Sequence, residues 1–362
     1  MELTGPDGVA LRKGIRMADR CADWGRVIIA VAVAGILAGC QQTAMVQAPA
    51  PIEQISEQKL IAEQIEEQKA QAISLYVDAT MLNDLNERLE AIRKLELALE
   101  LDPEFAVAYS LKGDIHQAME EYPQSAAAYE KATEFDPWSF KDFFNLGKVC
   151  QAMKEFVRAA AAYVTACKLD PNHYQAHFNA ARCYYELKEF DSSLEYAGLA
   201  KKLEPDKSEV EALMGDLHEA KKDHTEAISA YKRALEMEGN SVKIMVPLSA
   251  AYLRSGRYSA AKELLVDVVN TDPNNAIAHQ YLGFAKLKLK ETNEAVESYK
   301  RAVAIDDGDW MAHKGLGVAY MLLAMQNNND QKLEAMAMEQ WGISLQLKSD
   351  QPELKTLMNK YK

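Results

Sequence analysis

The chain has 362 residues, with 54 aspartates and glutamates against 41 lysines and arginines, and its formal net charge is −13. The first 39 residues hold five basic and four acidic side chains, so the remainder carries 36 against 50, a balance of −14. Such an acidic chain is not typical of proteins that bind nucleic acid or anionic lipid surfaces.

The N-terminal region combines a charged start with a short apolar segment. Residues Val27 to Ala38 form a 12-residue apolar run after several arginines, too short to span a bilayer comfortably. Leu37-Ala38-Gly39-Cys40 follows, and it resembles a bacterial lipobox, in which the cysteine is lipidated and becomes the mature N-terminus. We predict a lipoprotein signal peptide over residues 1–39, with Met1 or Met17 as its start. An uncleaved anchor and an ordinary signal peptide are the alternatives.

The residues after the cysteine predict a location and a tether. Gln41 follows Cys40 where an aspartate would favour retention in the inner membrane, so we expect an outer-membrane lipoprotein facing the periplasm. Residues 40–51 contain two prolines and no apolar periodicity, which predicts a flexible tether. Residues 52–71 carry a thin isoleucine stripe, which predicts an amphipathic helix packed on the next unit. A short dimerising coiled coil is the alternative interpretation of that stripe.

A unit of about 34 residues then repeats, each with two apolar helical stripes and an acidic ending. The endings are Asp102-Pro103, Asp136-Pro137, Asp170-Pro171, Glu204-Pro205, Glu238-Gly239, Asp272-Pro273 and Asp306-Asp307. The eight units start at Ala72, Ala106, Phe140, Tyr174, Ser208, Val242, Ala276 and Trp310. Their eighth residues are all small: Ala79, Gly113, Gly147, Ala181, Gly215, Ser249, Gly283 and Gly317. Small residues at one position indicate closely packed helices.

The period, the small residues and the terminal proline resemble the tetratricopeptide repeat. The resemblance implies an all-α fold, a right-handed superhelical solenoid of eight helix-turn-helix repeats over residues 72–351 with a capping helix at 352–362. Two irregularities are expected. Pro247 lies inside a first helix, where we expect a kink or a late helix start. The eighth unit fits only with eight inserted residues, expected as a polar surface loop, and then places Trp341 where the seventh has Tyr299.

No sequence motif indicates catalysis, so we predict no enzyme activity and no cofactor. His173 and His177 could share a helix face as in a metal site, but a third ligand at suitable spacing is missing, so we predict structural or surface roles and no metal. Cys150, Cys167 and Cys183 lie at or near core positions, which favours buried free thiols over a disulfide.

The resemblance also implies that first helices line a concave groove for peptides. The third and fourth units present aromatic, amide and basic side chains there, and we predict a partner-binding site formed by Lys141, Phe144, Asn145, Lys148, Phe178, Asn179, Arg182 and Tyr185. Aromatic rings, amides and cations suit the side chains, backbone and carboxylates of an extended peptide. The fifth unit is acidic at these positions and the seventh is apolar.

These patterns together predict a membrane-anchored scaffold that binds proteins in the bacterial envelope. It is similar to lipoproteins that assist assembly of pili or secretion systems and to lipoproteins that gather cell-wall enzymes. The alternatives are an interaction subunit of a separately encoded glycosyltransferase and a structural homodimer. We expect protein or peptide partners, a lipid-anchored membrane contact and no nucleic acid.

Overall fold

A computed structural model describes residues 52–328 and 330–361, with side chains described from residue 58 onwards. The predicted signal peptide, the lipidation site Cys40 and the whole predicted tether lie outside this range. The chain divides into two compact units, Met1–Ile65 and Glu66–Lys362. The described residues form seventeen helices and contain no β-strand, which confirms the all-α prediction.

The helices alternate between first and second members of a repeat. The first members are α1 (Ile52–Asp84), α3 (Ala106–Ala118), α5 (Phe140–Ala152), α7 (Tyr174–Glu186), α9 (Ser208–Ala220), α11 (Val242–Arg254), α13 (Ala276–Lys288) and α15 (Trp310–Gln326). The second members are α2 (Arg88–Leu101), α4 (Tyr122–Phe135), α6 (Phe156–Leu169), α8 (Phe190–Leu203), α10 (His224–Glu238), α12 (Tyr258–Thr271), α14 (Thr292–Ile305) and α16 (Gln331–Leu347). A final helix, α17, covers Pro352–Lys360. From α2 to α17 each helix lies against its successor, as in a solenoid.

The start of the array differs from the expected division at Ala72. The helix α1 is 33 residues long and passes through that position without a break. Ala72 and Ala79 on it are fully buried. The first helix of the first repeat is therefore the C-terminal part of a longer helix.

The turn inside each repeat has a recurrent left-handed residue. Six of the eight repeats place a non-glycine residue with φ between 60° and 65° at the fifteenth position, and the sixth repeat has Gly256 at φ 76°. In the third repeat the next amide, that of Glu155, donates to the carbonyl of Cys150 at 2.9 Å. This bond is the Schellman arrangement that ends an α-helix. The same short turn therefore connects the two helices in the first seven repeats.

Small residues let the two helices of a repeat approach closely. Where the eighth residue is glycine, an aromatic ring from the second helix lies over it. A Cβ built on Gly147 would be 2.7 Å from the Tyr163 ring, and one on Gly113 would be 2.8 Å from the Tyr129 ring. Where the eighth residue is alanine or serine, the twenty-fourth is Leu95, Ala197 or Leu265. The glycine and the ring therefore occur as a matched pair.

The eighth repeat keeps this pair in spite of its insertion. The ring of Trp341 lies over Gly317 as Tyr299 does over Gly283, and Trp341 is fully buried. The inserted residues mostly lengthen the two helices to 17 residues each, against 13 and 14 in the seventh repeat. The expected surface loop is thus largely helix, since the inserted segment continues both apolar faces.

Two further expectations concern the sixth repeat and the end of the chain. Helix α11 begins at Val242 and includes Pro247, so the late start is wrong. In α17, Leu354 is buried against the last repeat, while Leu357 and Met358 pack on the same cluster. Burial of this apolar face is what a terminal cap of a repeat array requires.

The cysteines and histidines have structural surroundings. Cys150, Cys167 and Cys183 are buried free thiols, and burial raises their pKa to about 11, 12 and 12. His177 donates Nε2–H to the carbonyl of Pro171 at 3.0 Å, and His173 accepts the amide of Ala176 through Nδ1. Both histidines therefore stabilise the turn into α7, and no cluster of three metal-ligating side chains occurs in the part of the chain that the structure describes.

Candidate functional site: the first-helix face

In the predicted partner-binding site of the third and fourth repeats, the charge of Lys141 is already paired within the protein. The ammonium of Lys141 lies 2.6 Å from Asp114 Oδ2 in the preceding repeat, and Asn145 Nδ2 lies 3.4 Å from Oδ1 of the same carboxylate. Lys141 is exposed, but its charge is already paired. The positive cluster is therefore weaker than the residue types indicated.

The two phenylalanines of the predicted site have different surroundings. Phe144 is half-buried, with its ring 5.6 Å from Phe140 and 5.0 Å from His173 between centroids. Phe178 is only 7% exposed and stacks on Tyr174 within the core between the fourth and fifth repeats. The expectation that Phe178 is exposed is wrong, because α9 of the next repeat packs over it.

The other residues of the predicted site differ in how far they are exposed. Asn179 is also 7% exposed and accepts a hydrogen bond from Gln175 at 3.1 Å, so its side chain is not presented to a partner. Lys148 and Arg182 are exposed, and the guanidinium of Arg182 lies 5.9 Å from the Phe178 ring. Tyr185 is half-buried and lines a neighbouring cavity. Lys148, Arg182 and Tyr185 are thus the predicted residues that remain available together with part of Phe144.

That neighbouring cavity, of about 690 Å³, lies between α9 and α11 and has an acidic wall. Asp216 accepts the hydroxyl of Tyr231 at 2.5 Å, and burial raises the pKa of the Asp216 carboxyl. Glu219 is paired with Arg254 from the next repeat and with His224 Nδ1 at 2.8 Å. The charge of Glu219 is therefore compensated within the protein, whereas Asp216 is hydrogen-bonded but has no ion-pair partner among the described residues.

A second cavity is apolar and lies between the first helices of the last three repeats. It also measures about 690 Å³, within the size range of sites that bind small molecules or peptide side chains. Its lining side chains include Leu253, Tyr281, Phe284, Leu287, Val318 and Leu322. It meets the acidic cavity at Ala250, Arg254 and Tyr281, so the two form neighbouring parts of one face.

Large apolar side chains are exposed around this apolar cavity and, at Ile277, around its acidic neighbour. Ile277 is 52% exposed and Met311 47%, and both occupy the second position of their repeat. Phe284 and Leu322 are each 37% exposed on the same face. Contiguous exposed apolar surface is typical of interaction sites, because it costs solubility when nothing covers it.

Sequence reasoning identified only part of this site. The apolar character of the seventh repeat was expected from Ile277, Tyr281, Phe284 and Leu287, but the eighth repeat was missed. The same position-by-position comparison finds it, since Met311, Val318 and Leu322 stand at the second, ninth and thirteenth positions of that repeat. Lys288 and Lys314 also line the cavity and were not predicted.

Helix pairs repeated at this constant period, with a grooved first-helix face, define a tetratricopeptide repeat protein, a fold that serves as a scaffold for protein–protein interactions. Residues 61–315 match the family model of the cilia and flagella-associated protein 70 C-terminal domain, so the chain belongs to this tetratricopeptide repeat family. None of the helices in the described ranges is both long and apolar enough to cross a membrane.

Known proteins show the same fold at low identity. The chain is 28% identical over 109 residues to small glutamine-rich tetratricopeptide repeat-containing protein 2 of Mycosarcoma maydis, a stretch of 30% of this chain and 31% of that protein. The chain thus spans about a third of the length of this relative.

Solved structures add three likenesses. Cut9–Hcn1 of the APC/C matches with a TM-score of 0.53 at 14% identity, covering 76% of this chain and 52% of that one. PilF of Pseudomonas aeruginosa gives 0.49 at 18% identity, over 57% and 94% of the two chains. YrrB, described as having an unusual peptide-binding site, gives 0.46 at 20% identity, over 52% and 96%. These likenesses concern the fold alone.

Proposed function

We propose that this protein is a lipid-anchored, non-enzymatic adaptor of the bacterial cell envelope that holds partner proteins along its first-helix face. The observation that carries the proposal is the apolar cavity of about 690 Å³ between α11, α13 and α15, lined by the exposed side chains of Phe284 and Met311. A partner that covers these side chains removes apolar surface from water, which favours association.

The membrane part of the proposal rests on the N-terminal sequence. The lipobox-like Leu37–Cys40 follows an apolar run of signal-peptide length. Each buried methylene of an acyl chain contributes about 0.8 kcal/mol, so two or more chains on one cysteine hold a protein firmly on a bilayer. Gln41 after the cysteine favours the outer membrane, with the repeats in the periplasm.

Site-specific crosslinking in native envelopes tests partner capture. A photoreactive residue replaces Phe284, and the matched control replaces Lys300, which is exposed on the second helix α14. We expect crosslinked partners at Phe284 and none of the same partners at Lys300. Pilus or secretion subunits would identify an assembly factor, and a glycosyltransferase or cell-wall enzymes would identify an interaction subunit. Absence of crosslinks at Phe284 would overturn the proposal.

Metabolic labelling tests the anchor separately. Cells grown with an alkyne-labelled fatty acid should label the wild-type protein, and Cys40→Ser should abolish both the label and sedimentation with outer-membrane fractions. Label that persists in Cys40→Ser would contradict lipidation at this cysteine.

A homodimer is a second candidate, favoured by one feature of α1. Leu60, Ile61 and Ile65 are 56%, 54% and 45% exposed, although apolar side chains of this size are usually buried. Sedimentation of the full chain in lipid nanodiscs should then show two copies per disc at high protein concentration. A paired Leu60→Lys and Ile61→Lys variant should remain single at that concentration, and a single wild-type copy throughout would exclude this dimer.

A further inference from the structure

Two lysines beside the apolar cavity have no ion-pair partner among the described residues, unlike Lys141 and Arg254 on the same face. Lys288 and Lys314 line the cavity, and in the described chain neither forms an ion pair. The ammonium of Lys288 lies 5.3 Å from the centroid of Phe284, and that of Lys348 lies 4.1 Å from the centroid of Trp310. Positive charge thus stands directly beside the apolar lining.

The opposite end of the cavity is electrically balanced. Arg254 also lines it, but its guanidinium pairs with Glu219, which is in turn in contact with His224. The uncompensated positive charge is therefore confined to the end formed by α13 and α15. The cavity therefore has a balanced end at α11 and a positive end at α13 and α15.

We propose that the cavity binds a partner segment whose large apolar side chains are followed by aspartate or glutamate. The proposal rests on the proposed function and specifies the chemistry of the partner. The apolar side chains enter between Leu253, Phe284 and Val318, and the carboxylates lie beside Lys288 and Lys314. A carboxylate near an unpaired ammonium is attracted, and a lysine in the same place is repelled.

Charge complementarity favours this occupant over a basic or purely apolar one. The protein carries a net charge of −13, so most of its surface repels acidic segments and a local positive edge selects where they dock. The lysines keep their long stems along the apolar wall with the ammonium at its border. An uncharged segment would bury the same apolar surface but would not be attracted by the two lysines.

Synthetic peptides of twelve residues provide the probe. One set carries leucine and phenylalanine at spacings of three and four, followed by two glutamates, and matched sets replace the glutamates by glutamines or lysines. Binding to the full chain in lipid nanodiscs is measured by fluorescence anisotropy at low and moderate salt. We expect the glutamate peptides to bind about tenfold tighter than the lysine peptides, with a difference that shrinks as salt rises.

Variants separate the apolar and the charged contributions. Phe284→Ala should weaken every apolar peptide about tenfold or more, whereas Lys288→Gln with Lys314→Gln should weaken only the glutamate peptides. Lys300→Gln is the matched control, since Lys300 lies outside the cavity and pairs with Glu297. Circular dichroism of each variant establishes that the helices are intact.

Several outcomes would overturn the proposal. Equal affinity for glutamate and lysine peptides, binding unaffected by Phe284→Ala, or no binding of any set each excludes this occupant. A fluorescent fatty acid that binds more tightly than the peptides and displaces them would assign the cavity to acyl chains. Partner crosslinks at Phe284 would still support the proposed function in these cases, so the two failures are distinguishable.

Discussion

The close approach of helices in the third repeat depends on Gly147 and can be tested by adding one methyl group. Alanine has a higher helix propensity than glycine by about 1 kcal/mol, so Gly147→Ala would stabilise α5 if only the backbone mattered. The new Cβ would, however, stand 2.7 Å from the Tyr163 ring. That ring is fully buried, contacts Phe144 edge-on and donates its hydroxyl to Gln151 at 3.0 Å, so it cannot move freely.

Overpacking of a buried contact costs about 1 to 3 kcal/mol, which outweighs the propensity gain. We therefore expect Gly147→Ala to lower the free energy of unfolding by up to about 2 kcal/mol. Gly198 is the matched control, because it lies within helix α8 and a Cβ there would meet no atom within 4 Å. Gly198→Ala should raise the free energy of unfolding by about 0.5 to 1 kcal/mol.

The first repeat indicates how to rescue the variant. There the eighth residue is Ala79 and the residue in the place of the ring is Leu95, both fully buried. Tyr163→Leu alone should cost about 1 to 3 kcal/mol by leaving a cavity above Gly147. Combined with Gly147→Ala it reproduces the Ala79 and Leu95 pair, so the two losses should not add, with a coupling of about 1 to 2 kcal/mol.

The assay must resolve single repeats, because an array of repeats does not unfold in one step. Hydrogen exchange read by mass spectrometry should show faster exchange in α5 and α6 of Gly147→Ala, a smaller effect in adjacent repeats and little in the seventh and eighth. Additive losses in the double variant would show that Gly147 and Tyr163 are not a matched pair, and equal acceleration along the whole array would show that the repeats do not unfold separately.

Three further predictions concern charges, thiols and turns. Asp216→Asn should stabilise the protein at pH 7, because burial raises the carboxyl pKa in the folded state and ionisation of Asp216 therefore opposes folding. In melting curves, the stability difference between the variant and the wild type should shrink as the pH falls through that pKa. Asp114→Asn, at the same position of the second repeat, should give no gain because it loses the ion pair with Lys141. The thiols of the third and fourth repeats, with pKa values raised to about 11 or 12, should resist iodoacetamide at pH 8 in the folded protein and react after unfolding, as read by peptide mass; native labelling would contradict their burial. Lys188→Gly should raise the free energy of unfolding by about 0.5 to 1 kcal/mol, because lysine is strained at φ 61°. The control Lys232→Gly, in the middle of α10, should lower it by about 1 kcal/mol. A loss of stability in both variants would contradict the turn geometry.

The repeat and its internal packing follow from the amino-acid sequence. The constant period, with a small residue at the eighth position of every repeat, leaves little freedom, because each pair of helices must bury its apolar stripes against the next pair. The alignment of Trp341 with Tyr299 followed from the sequence alone, and Trp341 is fully buried with its ring over Gly317. Local patterns therefore sufficed for the fold.

Which side chains of the first-helix face are exposed became clear from the tertiary structure. Phe178 and Asn179 stand at groove positions in the sequence, yet the next repeat covers both. In the sequence Lys141 has the character of a free cation, but Asp114 of the preceding repeat pairs with it. Exposure and charge compensation depend on neighbours from other repeats, which no single repeat specifies. For the same reason the apolar cavity became evident only when three first helices, α11, α13 and α15, lay side by side.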